Sequence, residues 1–307
     1  MKLVITPGDP AGVGPEIIRS LLSRFSFPRD ISITVVCDAG FRRSLRRLPD
    51  SIFHLVGRER RFIPGRPDRH SAKASLEYIN QACELISKTG CRETILFTGP
   101  VSKELISSVS PGFSGHTELL ARSFGVRSVS MVFVCDKLKI VTVTTHCAIK
   151  DVHRSITENK IMSGIRSAAE AVRLLEGRPG RIAVLGLNPH AGDGGIIGTE
   201  EKNVISAAVR KAKKKGFDVS GPYPSDSGIQ RALDGAADAV VAMYHDQAIL
   251  PVKLISGRKA CNLTVGLPFV RVSPLHGTAF DIAGRGNASD ESAFYAMSTA
   301  FRAAGCG

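Results

Sequence analysis

The sequence has no tryptophan, only four tyrosines, and aromatic residues make up 6% of its 307 positions. Proteins that hold single-stranded nucleic acid stack bases on aromatic side chains interleaved with cations. This chain lacks that interleaving, so its net charge of +13 needs another explanation. The basic residues cluster in Arg42-Arg43 with Arg46-Arg47, in Arg58-Glu59-Arg60-Arg61 and in Arg210-Lys211-Ala212-Lys213-Lys214-Lys215. Solvated faces account for them, and the last group ends an expected helix before Gly216, where cations complement the helix dipole. Nucleic acid is not an expected partner, whereas a positive field draws in an anionic substrate.

Long hydrophobic runs are also missing. No stretch of about 18 apolar residues is present, so no membrane-spanning helix is expected. The apolar run in MKLVITPGDPAG is too short for a secretory signal, and a cytoplasmic location is expected. The seven cysteines (37, 83, 91, 135, 147, 261 and 306) are odd in number and form no CxxC pair. That excludes a disulfide framework and a zinc ribbon and predicts reduced, mostly buried thiols. Cys147 follows His146 directly, and neighbours on a strand face opposite sides, so Cys147 is not an expected ligand.

What is present is an alternation of short β-branched runs with longer amphipathic stretches, the pattern of an α/β fold. Strands are predicted over 3–6, 31–37, 94–98, 130–135, 140–145, 181–187 and 239–243. Helices are predicted over 15–23, 72–88, 158–175, 200–214, 227–233 and 290–303. Asp136-Lys137 marks an antiparallel hairpin between two of the strands. No Pro/Gly/Ser-rich linker divides the chain.

Gly, His and Asp residues fall after predicted strands again and again: Gly8, Gly99, His146, His190 and His245. Ligands of open α/β sheets bind at the carboxyl ends of strands. His146 ends VTVTTH, His190 sits in LNPHAGDGG and His245 in AMYHDQ. Three neutral imidazoles that leave a coordination position open suit a catalytic metal. Spacing alone does not join ligands so far apart in sequence.

Two further glycine-rich loops precede helices. The loop over 6–16 lacks both the Gly-Lys-Ser/Thr ending of a P-loop and the GxGxxG spacing of a Rossmann fold. Pro15 and Glu16 are ordinary helix-start residues there. In the second loop, over 276–287, Asp281 is placed to accept hydrogen bonds from a ribose diol.

Several long motifs, in order, resemble the 4-hydroxythreonine-4-phosphate dehydrogenase family: TPGDPAGVGPEI, TGPVSKELI, FSGHTELLA, LNPHAGDGG…GTEE, GPYPSDS, YHDQAILPVK and GLPFVRVSPLHGTAFDIAGRGNAS. The Gly-Pro-Glu opening and the HGTAFDIAGRG loop also resemble isocitrate and isopropylmalate dehydrogenases. The resemblance implies an isopropylmalate-dehydrogenase-like fold of two α/β/α domains with a central cleft. One is the cofactor-side domain, 1–120 with 272–307; the other, 121–271, carries metal, substrate and dimerisation functions. It implies a homodimer with its active site near the interface, and His146, His190 and His245 as metal ligands. Substrate contacts carried over are His116, Thr117, Lys253, Asn262 and Arg271. The loop residues His276, Gly277, Asp281, Gly284 and Asn287 are expected to hold the cofactor. Asp226, Asp246 and Lys253 are the candidates for proton relay or for tuning the metal. Ser225 and Ser227 replace Ala and Thr common in the family around Asp226.

The activity so implied is metal-dependent, NAD-linked oxidative decarboxylation of 4-phosphohydroxy-L-threonine. Asp281 favours NAD, and Arg285 keeps NADP open. Zinc is the first choice of metal for imidazole ligands, with cobalt, nickel and magnesium as alternatives. A relative acting on 4-phospho-threonate or 4-phospho-erythronate is the alternative, and a metal-dependent hydrolase stands behind it.

Overall fold

A computed structural model describes residues 1–45, 52–56 and 60–305. Arg46, Arg47, Arg58, Glu59 and Cys306 lie outside the described residues. Two compact units form, one from residues 1–129 with 266–307, the other from 130–265. The sequence reading drew these divisions at 120/121 and 271/272.

In the first unit β1 (Lys2–Thr6), α1 (Gly14–Arg24), β2 (Ser32–Cys37), α2 (Ala39–Arg43), β3 (Phe53–Leu55), α3 (Arg69–Thr89), β4 (Thr94–Thr98), α4 (Lys103–Val109) and α5 (His116–Ser123) follow in turn. The second holds β5 (Ser130–Cys135), β6 (Lys139–Thr142), α6 (Ile149–Ser155), α7 (Glu158–Glu176), β7 (Ile182–Leu185), α8 (Ser206–Lys214), β8 (Val219–Tyr223), α9 (Ser225–Leu233), β9 (Ala239–Ala242), α10 (His245–Ser256) and β10 (Ala260–Val265). β11 (Val270–Pro274) and α11 (Glu291–Ala303) complete the first.

The first unit's strands run parallel in the order β3-β2-β1-β4-β11. β1 and β4 are apolar on both faces, as parallel strands under two helical layers must be. Val4, Val36 and Leu96 join Tyr78 and Ile79 of α3 in one core, and the alternate residues Leu3, Ile5, Ile95 and Phe97 are also fully buried. α3 starts on a capping box in which Asp68 accepts from His70 and Ser71, worth about 1 kcal/mol.

In the second unit the order is β10-β5-β6-β9-β7-β8. β5 and β6 form the expected antiparallel hairpin, with Val134 opposite Lys139. β10 adds antiparallel to β5, while β6, β9, β7 and β8 are parallel. The predicted helix over 200–214 divides: its first turn, Glu201–Ile205, is a π-helix, and α8 follows. Strand β6 stops at Thr142, short of the predicted 145. Cys37, Cys83, Cys135 and Cys261 are buried thiols, Cys91 and Cys147 are half-buried, and none of the six is in a disulfide. Lys211, Lys213, Lys214 and Lys215 stand exposed at the end of α8. Among the described residues no helix is long and apolar enough to cross a membrane.

Candidate functional site

In the second unit the three histidines follow three adjacent parallel strands, β6, β9 and β7. Beyond β6 the chain stays attached to the end of β9: Val143 N–H donates to Ala242 O, and Thr144 Oγ1 donates to Met243 O at 2.7 Å. This carries His146, in a left-handed conformation (φ 45°), alongside His245 at the start of α10. Their ring centres lie 6.2 Å apart. With metal–nitrogen bonds of about 2.0–2.1 Å, two imidazoles on one ion have centres roughly 5–6.5 Å apart. His245 Nδ1 donates to Asp246 Oδ1 at 2.7 Å, which fixes the tautomer and leaves Nε2 as the basic nitrogen. The ring packs edge-on to Phe133 at 6.0 Å.

His146, His245, Asp246 and Cys147 line one cavity of about 410 Å³. The expected separation of Cys147 from His146 is therefore corrected: both residues lie beyond the strand, where alternation no longer applies. A neighbouring cavity of about 350 Å³ is lined by Asp226, Asp246, Tyr244 and Gln247.

His190 stands on a different kind of support. His190, Ala191, Gly192, Asp193 and Gly194 all have positive φ, and the three that carry a Cβ each cost roughly 1 kcal/mol. The root of this loop is clamped by Glu201, 5% exposed, whose Oε1 accepts from the Leu187 and Asn188 amides at 2.7 Å each. Gln247 ties the same root to α10, donating to Gly186 O at 2.8 Å and accepting from Met243 N at 2.5 Å. Among the described residues, no three His, Cys, Asp or Glu side chains gather closely enough to hold a metal. The ring spacing of His146 and His245 is one that two ligands of a single ion can adopt, and His190 does not stand with them as a group of three.

The first unit holds a cationic site around a buried arginine. Arg271, on β11 and 4% exposed, donates from Nη2 to Thr98 Oγ1 at 2.7 Å. Burial pushes its pKa down to about 10, partly countered by Glu118, so it remains a cation at neutral pH. His116 and Thr117 open α5, which has no side-chain cap, and an uncapped helix start favours an anion. Burial, and next the cations Arg271 and Lys103, push the His116 pKa down to about 3. A Cβ on Gly115 would stand 3.4 Å from Lys103 Nζ, so the ammonium lies against the helix start. Buried Arg271, exposed Lys103 and a neutral imidazole suit a phosphate or carboxylate, with the Glu118 carboxylate at the same helix start as the one opposing charge.

The loop over 276–287 is held by α1. Glu16 accepts from the Gly284 and Gly286 amides at 3.1 and 3.2 Å, and Val13 N–H donates to Thr278 O at 2.9 Å. Gly12 is required here, since a Cβ would stand 2.8 Å from Thr278 O. Gly277, Asp281, Gly284 and Asn287 are exposed. His276 Nδ1 donates to Gly277 O at 2.9 Å, and its Nε2 is buried without a hydrogen-bond partner. An orphaned acceptor beside exposed glycine backbone fits a nucleotide that brings a donor.

A sequence model described as pyridoxal phosphate biosynthetic protein PdxA matches residues 31–300. The chain belongs to the PdxA family. A 4-hydroxythreonine-4-phosphate dehydrogenase of Beijerinckia indica is 38% identical over 97% of this chain and 93% of its own length. A D-threonate 4-phosphate dehydrogenase of Salmonella typhimurium is 36% identical over 94% of this chain and 95% of its own. The crystal structure of a 4-hydroxythreonine-4-phosphate dehydrogenase from Klebsiella pneumoniae superposes with a TM-score of 0.83 at 33% identity, covering 99% of both chains. A β-decarboxylating dehydrogenase from Thermococcus kodakarensis shares the fold, with a TM-score of 0.58 at 14% identity over 99% of this chain and 83% of its own.

Within this PdxA-family chain the structure brings His146 to His245 and Asp246, and His116 to Thr117 and Arg271. Asn262, on β10, is half-buried with its Oδ1 unpartnered. Lys253 is exposed on α10, beside the exposed Leu254. Sequence reasoning missed Lys103, Thr98, Glu16 and Glu201 as site residues. Lys103 and Glu201 lie in the quoted TGPVSK and GTEE motifs, but nothing local distinguishes them from helix-start residues.

Proposed function

We propose that this chain oxidises and decarboxylates 4-phosphohydroxy-L-threonine, giving 3-amino-2-oxopropyl phosphate and CO2 in pyridoxal phosphate synthesis. The observation that carries the reading is the site where buried Arg271 and exposed Lys103 meet the start of α5, chemistry that suits an oxyanion. Family membership and the names of the relatives supply the reaction class. The proposed assignments are NAD or NADP on the loop from His276 to Asn287, and a divalent metal, zinc first, on His146 and His245, with His190, which stands apart from them in this structure, as the third ligand that the family resemblance implies. They include cytoplasmic location and a homodimer.

When bound, the metal withdraws electron density from a substrate hydroxyl and the dinucleotide accepts hydride. The chain's own work is to orient and to move protons. Arg271, Lys103 and the first amides of α5 hold an anionic end of the substrate, and neutral His116 adds no further positive charge beside buried Arg271. Lys253 and Asn262 are the contacts assigned in the second unit, and solvent-exposed Lys253 is the candidate proton relay. Asp246 holds the His245 tautomer, and Asp226 lines the cavity beside it. Loss of hydride and a hydroxyl proton gives a β-keto acid, which releases CO2 once the developing negative charge is stabilised.

A second reading, oxidation of D-threonate 4-phosphate, is favoured by relatives of that name at 36% identity. The experiment measures CO2 and NADH from each phosphorylated acid separately. Equimolar CO2 and NADH with the highest kcat/KM on the hydroxythreonine phosphate supports the first reading. A higher kcat/KM on D-threonate 4-phosphate replaces it with the second.

A further inference from the structure

The segment Ile63-Pro64-Gly65-Arg66 belongs to none of the motifs that carry the family resemblance. Proline followed by glycine is the pairing a type II turn asks for. The chain makes that turn: Arg66 N–H donates to Ile63 O at 3.0 Å, and Gly65 has φ 78°. The turn is anchored on the loop between β1 and α1, where Gly65 N–H donates to Ala11 O at 2.8 Å. It also presses on the loop over 276–287. A Cβ on Gly65 would stand 2.9 Å from Phe280 O, and one on Gly284 would stand 2.5 Å from Pro64 Cβ and 3.1 Å from its Cγ. The Pro64 ring therefore lies directly on the backbone of Gly284, whose amide Glu16 also holds. Pro64 and Gly284 are both exposed, so their contact adds little to the core. What it fixes is the path of the loop from Phe280 to Gly284.

We propose that Pro64 and Gly65 are positioning residues for the dinucleotide, holding the Phe280–Gly284 backbone in the shape that receives it. The inference rests on the reading of the loop from His276 to Asn287 as the dinucleotide site. That loop contains Gly277, Gly284 and Gly286, and glycine loses the most conformational freedom on ordering. A rigid turn packed against it meets part of that cost before the nucleotide arrives. The effect of Pro64 and Gly65 passes through the loop backbone and needs no contact with the nucleotide.

The test is calorimetric titration of the full chain with NAD and with NADP, with thermal melts as a check on folding. Pro64→Gly is expected to weaken dinucleotide binding about five- to ten-fold, because a flexible turn leaves the ordering to the binding step, with a cooperative melt retained. Pro64→Ala keeps the Cβ that stands over Gly284, and a smaller weakening is expected. Gly284→Ala sets a methyl group against the ring and strains a left-handed backbone, so a loss of about a hundred-fold is expected. In the Pro64→Gly background that methyl meets no ring, and Gly284→Ala is expected to cost at least about three-fold less than in the wild type. Wild-type affinity in Pro64→Gly overturns the proposal and leaves the loop as the dinucleotide site. An equal loss from Gly284→Ala in both backgrounds overturns it too, since the Gly284 backbone alone then accounts for the effect. Loss of cooperative folding in both Pro64 variants overturns it in favour of a structural role. If the wild-type chain binds neither NAD nor NADP, the cofactor reading fails first and the proposal with it.

Discussion

His116 is kept neutral by its surroundings across the whole range in which histidine normally titrates, and that has a consequence for stability. Its pKa lies near 3 in the folded chain and near the ordinary 6.5 when unfolded. Between those values the unfolded state binds a proton that the native state does not, so stability falls as pH falls through that window. The slope approaches about 1.4 kcal/mol per pH unit. Urea unfolding at pH 7 and pH 5 is expected to show His116→Gln losing about 2 kcal/mol less than the wild type over that interval. An equal loss in both proteins would show that His116 titrates normally. Arg271 yields a second prediction. Arg271→Lys keeps the charge but loses the planar fork directed at Thr98 and at an oxyanion, so KM for the phosphorylated substrate is expected to rise about ten- to hundred-fold. Steady-state kinetics decide it, and an unchanged KM would take Arg271 out of the substrate site. His116 and Arg271 were legible only through their motifs; locally, Arg271 is one charge in an apolar strand. Lys103 was not legible, because its place against α5 is set by the fold and not by its neighbours in sequence.

At the scale of elements, the strands that end in chemistry were the easiest to read. Thr94–Thr98 and Ser130–Cys135 coincide with the predicted strands, since buried β-branched runs have few other uses. Where prediction failed, proline was often the cause. β8 contains Gly221-Pro222 and sits at the edge of its unit's sheet, where a missing donor is tolerated. α10 continues through Pro251, which reads as a helix stop. Short α4, α5 and α6 give too few turns for a periodic signal. The Glu16 clamp is likewise invisible in sequence, because it joins α1 to a loop more than 260 residues on. Removing it in Glu16→Ala frees the Gly284 and Gly286 amides. The expected result is roughly ten-fold weaker dinucleotide binding by calorimetry, from about 1–2 kcal/mol of lost hydrogen bonding, with Co2+ affinity unchanged. Equal dinucleotide affinity would show that the loop holds its shape without α1.

On the scale of the whole molecule, the net charge of +13 and an anionic substrate predict encounter assisted by long-range attraction. Raising ionic strength from about 0.01 to about 0.15 M shortens the screening length from about 30 to about 8 Å. The value of kcat/KM is expected to fall several-fold while kcat stays nearly constant; a salt-independent kcat/KM would confine the attraction to contact range. The α/β class followed from the alternation of short apolar and amphipathic runs, whereas the return of β11 and α11 to the first unit had no signal in composition. The histidines were legible as residues following strands. That β6, β9 and β7 are neighbours is a property of topology, which a single sequence does not display.

The most direct test of the account is NADH formation by purified, metal-loaded protein given NAD and 4-phosphohydroxy-L-threonine, with and without a chelator. The account predicts steady NADH formation that the chelator abolishes and added divalent metal restores. NADH formation that persists after complete, verified metal removal would contradict it, and so would failure to bind NAD at all.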